Sequence, residues 1–179
     1  MAHLVIYENG HLAPSVTERV GSGKGVSNRP ADVMLVSTLL KLNYARPGFP
    51  QPPGAKRVVV AGSKFTPEMK LFLDHAQTFL GHVKKANGIA SPLPLQASRD
   101  QLFNYIVFSL FYGTWGPNYL TDDGSDTIDA LTKLPYLHHL RSHILGSPLP
   151  DAGVTSETVQ ATPFSETRPA NTDYPGSTQ

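Results

Sequence analysis

The positions of proline decide where helices can begin and end in this chain. Sixteen of its 179 residues are proline, and an internal proline destabilises a helix by about 3 kcal/mol but is tolerated in the first turn. Pro30 and Pro67 each follow closely on a residue that can cap a helix, Asn28 and Thr66 respectively. Both prolines therefore predict helix starts, and the proline-rich stretch 47–54 predicts an irregular loop between the two helices.

Apolar residues recur at helical spacing after each of these starts. In the first helix they are Val33, Val36, Leu39 and Leu40, and Asn43 marks the end. In the second they are Met69, Phe72, Leu73, Ala76, Phe79 and Leu80, with Gly81 as terminator. This spacing predicts two amphipathic helices, each with one apolar face toward a core.

A third helix is predicted to begin near Ser98, which has the capping-box spacing with Gln101. Its body, residues 102–112, is apolar almost all round, which favours a central position. A short strand is predicted at 4–7, before an Asn-Gly turn, and a short strand or extended connector at 58–60. The residues expected near the centre of the core are Leu39, Phe72, Ile106 and Phe108.

Further helical segments are predicted at 127–134 and from Pro135 onward, and residues beyond Gly146 are dominated by Ser, Thr, Pro, Gly and acidic residues. Such a composition cannot bury enough apolar surface to offset its ordering entropy. The sequence thus predicts an N-terminal arm or short strand at 1–19, a helical domain at 20–146 and an irregular C-terminal arm at 147–179. The fold class expected is mainly α, a compact helical bundle with minor short strands and an extended arm.

Charge and cysteine content bear on several classes of function. The net charge of +1 provides no strong field for nucleic acid, and the absence of cysteine removes thiolate chemistry and disulfides. The longest apolar stretch, 102–112, is too short for a membrane span. The apolar run near the N-terminus is too short for a signal peptide, so we expect the protein in the cytoplasm before assembly and otherwise in a virion or other particle.

Residue patterns that could support catalysis or metal binding each have a simpler interpretation. The Gly-rich stretch 21–25 does not have the spacing of a phosphate-binding loop. Asp74 and His75 are adjacent, so on a helix they point about 100° apart and cannot act as one unit. His139 and His143 have the spacing of two ligands on a helix face, but a solvated polar helix face is the favoured explanation. We therefore expect no enzyme, no cofactor and no metal.

The segment 28–33 reads Asn-Arg-Pro-Ala-Asp-Val and is followed by Val36 and by Leu39-Leu40. Through these residues, the range 18–80 resembles the peptidoglycan-binding-like domain family. In the family this start leads into a helix that ends Val-Gln-x-Leu-Leu, and Ser37 replaces the glutamine here. The resemblance implies a helical fold of the peptidoglycan-binding-like type.

The second landmark of that family is a Val-Asp-Gly turn, followed by Gly-Pro and a helix that ends in an aromatic residue and glutamine. This chain has Val-Ala-Gly at 60–62, then Thr66-Pro67, then Ala76-Gln77. Ala61 replaces the Asp of the turn, and this removes a polar side chain that could contact a sugar or peptide. The resemblance implies peptidoglycan as a ligand, and these replacements weaken that implication.

From the sequence we expect one of two functions. The first is a structural component of a multi-subunit particle, a phage virion or an injection apparatus, whose arm docks on other protein subunits. The apolar residues expected to anchor the arm are Val154, Val159, Phe164 and Tyr174. The second is a peptidoglycan-binding module that accompanies a lytic enzyme, with Trp115 and Tyr119 in a polar turn region as ligand-binding residues.

Overall fold

Short strands and helices are interspersed along the chain. The computed structural model describes residues 2–7, 11–56, 59–80, 86–95 and 97–114. The elements within those ranges are, in chain order, β1 (His3–Tyr7), β2 (His11–Ser15), β3 (Val20–Gly21), α1 (Pro30–Tyr44), α2 (Pro67–Phe79), β4 (Ile89–Ala90), α3 (Arg99–Leu102) and α4 (Ile106–Thr114). The predicted helices at 127–134 and from Pro135, and the predicted arm at 147–179, lie outside the described residues.

β1 and β2 form an antiparallel hairpin in which His3 lies opposite Ser15 and Tyr7 opposite His11. The strand predicted at 4–7 is confirmed, whereas β2 was not predicted, because it contains Pro14 and proline is depleted in strands. Leu4 and Val5 are both buried, although consecutive side chains of a strand point to opposite faces. At these two positions the hairpin is therefore buried on both faces.

α1 begins at Pro30, as predicted, and ends at Tyr44. Asn28 does not cap it: Arg29 occupies the N-cap position without a side-chain cap bond. Residues 32–40 are all buried, so burial extends well beyond the single apolar stripe that the spacing predicts. α1 packs against both α2 and α4 and lies at the centre of the described fold.

α2 follows its sequence signals closely. The Thr66 side chain accepts a hydrogen bond from the Met69 backbone N–H at 3.1 Å, and Pro67 lies in the first turn. The predicted buried face is confirmed for Met69, Phe72, Leu73 and Ala76, with Leu80 buried directly after the helix. Phe79 is half-buried, and Gly81 lies outside the described residues.

The third predicted helix is two helices. Its capping box is confirmed, since the Ser98 and Gln101 side chains each accept from the backbone N–H of the other. The single helix is wrong, because α3 ends at Leu102 and α4 begins at Ile106. The Ser109 hydroxyl lies 3.2 Å from the Phe103 carbonyl and 3.3 Å from the Tyr105 carbonyl, so these carbonyls keep a polar partner across the break.

All four residues expected at the centre of the core are buried, namely Leu39, Phe72, Ile106 and Phe108. The hairpin contributes to the same cluster through Leu4, Val5 and Ala13. β3 and β4 form a second small antiparallel sheet, with Val20 opposite Ala90. The core is therefore built from helices and from two small sheets.

The prediction of a mainly helical, compact bundle of the peptidoglycan-binding-like type is wrong for the described residues. Only about two fifths of them are helical, and long irregular connections join the elements. The physical reason is that the described connections between the elements are held by turns and by bonds from side chains to backbone, such as those that Asp32, Asn28 and Ser37 make. None of the described helices combines the length and apolar character needed to cross a membrane.

Candidate functional site

Asn28 fixes the Gly-rich turn instead of capping α1. Its side-chain oxygen accepts from the Gly21 N–H at 2.8 Å, and its side-chain nitrogen donates to the Gly21 carbonyl at 3.0 Å. The Asn28 backbone has φ +50, a left-handed conformation that asparagine tolerates better than most residues. This residue therefore closes the loop 21–28 by imitating the pairing of a neighbouring strand.

Asp32 fixes the segment that leads from the hairpin to β3. Its carboxylate is fully buried and accepts from the backbone N–H groups of Thr17 at 3.0 Å and Glu18 at 3.1 Å. Arg29 forms an ion pair with Glu18 on the surface, where such pairs contribute little. The polar residues of the 28–33 signature thus act within the fold.

Ser37 holds the turn before α2. Its hydroxyl accepts from the Gly62 N–H at 2.9 Å, and the Gly62 carbonyl lies 2.9 Å from the same oxygen. Ser37 is buried in the middle of α1, so these contacts attach the turn to the central helix. The position of the 60–62 turn is therefore set by a residue that lies far away in sequence.

Gln77 performs the same task for the segment after α2. Its side-chain oxygen accepts from the Gly88 N–H at 3.0 Å, and its nitrogen donates to the Ile89 carbonyl at 3.0 Å. Gly88 has φ +66, and a Cβ there would lie 2.8 Å from a carboxylate oxygen of Asp74. The left-handed conformation favours glycine at this position, and a Cβ would also displace the Asp74 carboxylate.

A groove of about 340 Å³ opens beside the turn that Ser37 holds. Its lining comes from the turn and from the start of α2, and consists of Val59, Val60, Ala61, Gly62, Ser63, Lys64, Thr66, Glu68 and Met69. Val60 is 74% exposed, whereas Val59 beside it is 3% exposed. The groove thus combines an exposed apolar residue with one cationic and one anionic side chain.

Tyr44 of α1 and His75 of α2 form a polar contact between these two helices. The Tyr44 hydroxyl lies 2.7 Å from Nδ1 of His75 and donates to the Phe72 carbonyl at 3.2 Å. The His75 ring stacks on Phe79, with 5.8 Å between centroids and 6° between planes. Burial lowers the pKa of His75 below its usual value, which favours the neutral ring.

The adjacent pair Asp74 and His75 has separate partners. Asp74 forms an ion pair with Lys70, one turn earlier on α2, whereas His75 contacts Tyr44. Within the described ranges, no three His, Asp or Glu side chains come together as a set that could hold a metal ion. His139 and His143 lie outside those ranges.

The predicted site residues all lie outside the described part of the chain. This holds for the ligand-binding pair Trp115 and Tyr119 and for the arm residues Val154, Val159, Phe164 and Tyr174. The groove residues Val60, Lys64 and Glu68 were not predicted as a site. The sequence feature closest to these residues is the Val-Ala-Gly turn at 60–62, which was noted only as part of the family resemblance.

Comparison with known proteins identifies no relative. No protein-family model, no curated protein and no solved structure matches the chain.

Proposed function

We propose that this chain is a non-enzymatic structural component of a multi-subunit particle, a phage virion or an injection apparatus, that docks through its C-terminal arm. The observation that supports the proposal best is the way in which four buried or half-buried polar side chains are used. Asn28, Asp32, Ser37 and Gln77 all bind backbone groups of connecting segments. Such residues build a rigid frame, and a rigid frame suits a subunit that presents fixed surfaces to its neighbours.

The arm supplies the docking element in this proposal. Residues 147–179 contain five prolines and the spaced apolar anchors Val154, Val159, Phe164 and Tyr174. Proline lowers the entropy lost when a segment docks in an extended form, and apolar side chains set in separate pockets can hold such a segment. The domain provides the frame, and the arm provides the attachment to other subunits.

Deletion of residues 147–179 tests the proposal. The full chain and the deleted chain are expressed in cells that produce the particle, and each lysate is separated on a sucrose gradient. We expect the full chain to sediment with the particle and the deleted chain to stay at the top, with equal far-UV circular dichroism and equal Tm for the two purified proteins. Sedimentation of the deleted chain with the particle, or unfolding of the deleted chain, would contradict the proposal.

One observation favours a second candidate, a peptidoglycan-binding module accessory to a lytic enzyme. The groove lies at the 60–62 turn, where the family pattern has a polar turn, and it presents both Lys64 and Glu68. A pull-down with purified sacculi measures binding by the full chain, by Trp115→Ala and by Lys64→Ala. We expect weak binding and no release of muropeptides; strong binding that either substitution abolishes would favour this candidate over the particle component.

A further inference from the structure

The pair Asn87-Gly88 lies just before β4 and combines a reactive dipeptide with an unusual environment. Asparagine loses its side-chain amide most readily when glycine follows, because glycine has no side chain to hinder attack by its own backbone nitrogen. Asn87 is exposed, whereas Gly88 is buried. The amide that would be attacked is therefore open to water, and the nitrogen that would attack it is not.

Gln77 of α2 holds both groups that this reaction would join. Its side-chain nitrogen donates to Oδ1 of Asn87 at 2.9 Å, and its side-chain oxygen accepts from the Gly88 N–H at 3.0 Å. The Ile89 N–H also donates to Oδ1 of Asn87, at 2.9 Å. These two donors polarise the Asn87 carbonyl, but attack on it needs the Gly88 nitrogen, which must first lose its bond to the buried Gln77 side chain.

The space around Gly88 prevents the two groups from rearranging in place. A Cβ on Gly88 would lie 2.8 Å from the Asp74 carboxylate, and a Cβ on Gly21 of β3 would overlap the Gly88 carbonyl. The Ser22 N–H donates to that same carbonyl at 3.3 Å. Attack requires the Asn87 side chain and the Gly88 backbone to turn toward each other, so the segment 87–89 must first separate from Gln77 and from β3.

We propose that Asn87-Gly88 is a deamidation site that Gln77 keeps closed, and that its reaction makes an opening of the segment 87–89 permanent. In the open segment the Gly88 nitrogen loses its proton and bonds to Cγ of Asn87, and the side-chain nitrogen leaves as ammonia. Water then opens the succinimide ring, mainly at the former backbone carbonyl, which yields isoaspartate, and otherwise at Cγ, which yields aspartate. One water enters, one ammonia leaves, and no oxidant or reductant takes part.

Isoaspartate changes the course of the backbone, because the chain then runs through the Cβ and Cγ atoms of residue 87. This adds one atom to the backbone before Gly88, where the packing leaves no room for it. Gln77 can then no longer hold both the Gly88 N–H and the Ile89 carbonyl. The pairing of β3 with β4 includes Gly21 opposite Ile89, so the isoaspartate form cannot restore it. This inference is independent of the proposed function.

Peptide mapping of the full-length protein measures the reaction. Trypsin releases residues 86–99 as one peptide, in which Asn87 is the one asparagine, and chromatography with mass spectrometry separates its amide, aspartate and isoaspartate forms. The wild type is incubated at mildly alkaline pH, both folded and unfolded in urea. The folded rate equals the unfolded rate multiplied by the fraction of open segment, so we expect it to be at least roughly thirtyfold lower. A difference below about threefold would overturn the proposal.

Gln77→Met tests the role of Gln77, because methionine has a similar size but makes none of its hydrogen bonds. Ser37→Ala is the matched control, since Ser37 is also a buried helix residue that holds a distant turn. We expect Gln77→Met to accelerate deamidation of Asn87 at least roughly tenfold and Ser37→Ala to accelerate it less than about threefold. Equal acceleration would mean that a general loss of stability opens the site, and the role of Gln77 would be wrong.

Hydrogen exchange tests the same bond without a substitution, and it decides the role of Gln77 if circular dichroism shows that Gln77→Met does not fold. The Gly88 amide proton of the wild type should exchange at least roughly thirtyfold more slowly than in the unfolded chain. Exchange of this proton at the unfolded rate would contradict the closed site.

The isoaspartate form, isolated from aged protein by chromatography, tests whether the opening is permanent. In this form the amide protons of Gly88 and Ser22 should exchange at least roughly tenfold faster than in the unreacted protein, while that of Val33 in α1 stays unchanged. Asn87→Ser protein, which cannot form the succinimide, should show no such change after the same treatment. Equal exchange in the reacted and unreacted forms would show that the segment closes again and would overturn this part of the proposal.

Discussion

Replacement of Asp32 by asparagine separates the structural use of the 28–33 signature from a ligand-binding use. The buried carboxylate accepts two backbone N–H groups, at 3.0 and 3.1 Å. Asparagine has nearly the same shape but only one acceptor oxygen. One of the two N–H groups would then face an amide NH2, and neither group could satisfy the other.

The magnitude follows from these two bonds. A hydrogen bond to a charged group contributes about 1.5–3 kcal/mol, and an unsatisfied buried donor adds about 1–3 kcal/mol of penalty. Removal of a buried charge returns part of its desolvation cost, so we expect Asp32→Asn to lower the free energy of unfolding by about 2–4 kcal/mol. Asp32→Ala, which leaves both N–H groups without a partner, should lower it further.

Urea denaturation followed by circular dichroism measures the change, with the m-value as a check that the unfolding transition is otherwise the same. Asp100→Asn is the matched control, because Asp100 also lies in the first turn of a helix but is exposed. Its effect should stay below about 0.5 kcal/mol. If Asp32→Asn lowers the free energy of unfolding by less than about 0.5 kcal/mol, or if Asp32→Asn and Asp100→Asn lower it equally, the structural role assigned to Asp32 is wrong.

Three further predictions concern the core, the small sheet and pH. Phe72→Ala should lower the free energy of unfolding by about 3–5 kcal/mol, and Phe79→Ala, at a half-buried position, by clearly less; equal losses in chemical denaturation would contradict the packing described. Gly21→Ala should destabilise the protein more than Gly23→Ala, because a Cβ at the first position would overlap a facing backbone carbonyl whereas the second faces open space; comparison of the two Tm values decides, and the reverse order refutes the β3–β4 pairing. Because the pKa of His75 is lower in the folded state than in the unfolded state, its contribution to stability is complete above about pH 6.5 and is lost as the pH falls from there through the lowered folded value; wild type should lose more stability than His75→Gln between pH 7 and 5, and parallel curves would show that His75 does not titrate in this way.

Part of the fold could be predicted from sequence signals that act within one turn of a helix. Thr66 and Ser98 bond to N–H groups three residues ahead, so their caps could be predicted from the sequence. Asn28 carries an equally good capping side chain, but its partner is Gly21 at the end of β3. No local pattern distinguishes these two uses, because the choice depends on where β3 lies.

Other features that the sequence did not predict also depend on contacts between residues far apart in the chain. β3 has only two residues, and its pairing with β4 depends on Gln77 holding the segment 87–89. The break between α3 and α4 lies in a segment that is apolar almost throughout, where helical spacing predicts continuation. The groove depends on the contact between Ser37 and Gly62, so the family resemblance could point to the turn but could not predict the cavity beside it.

The contacts of Ser15 and Asn43 have a consequence for the order of events during synthesis. The Ser15 hydroxyl accepts from the N–H of Leu93, and the Asn43 side chain donates to the carbonyl of Leu110. The hairpin and α1 therefore leave the ribosome well before the residues that complete their packing. At a synthesis rate of about 5–20 residues per second, this delay lasts on the order of several seconds. During that time the apolar side chains of α1 that pack against α2 and α4 in the folded domain lack these partners, and this exposed surface makes the nascent chain prone to aggregate.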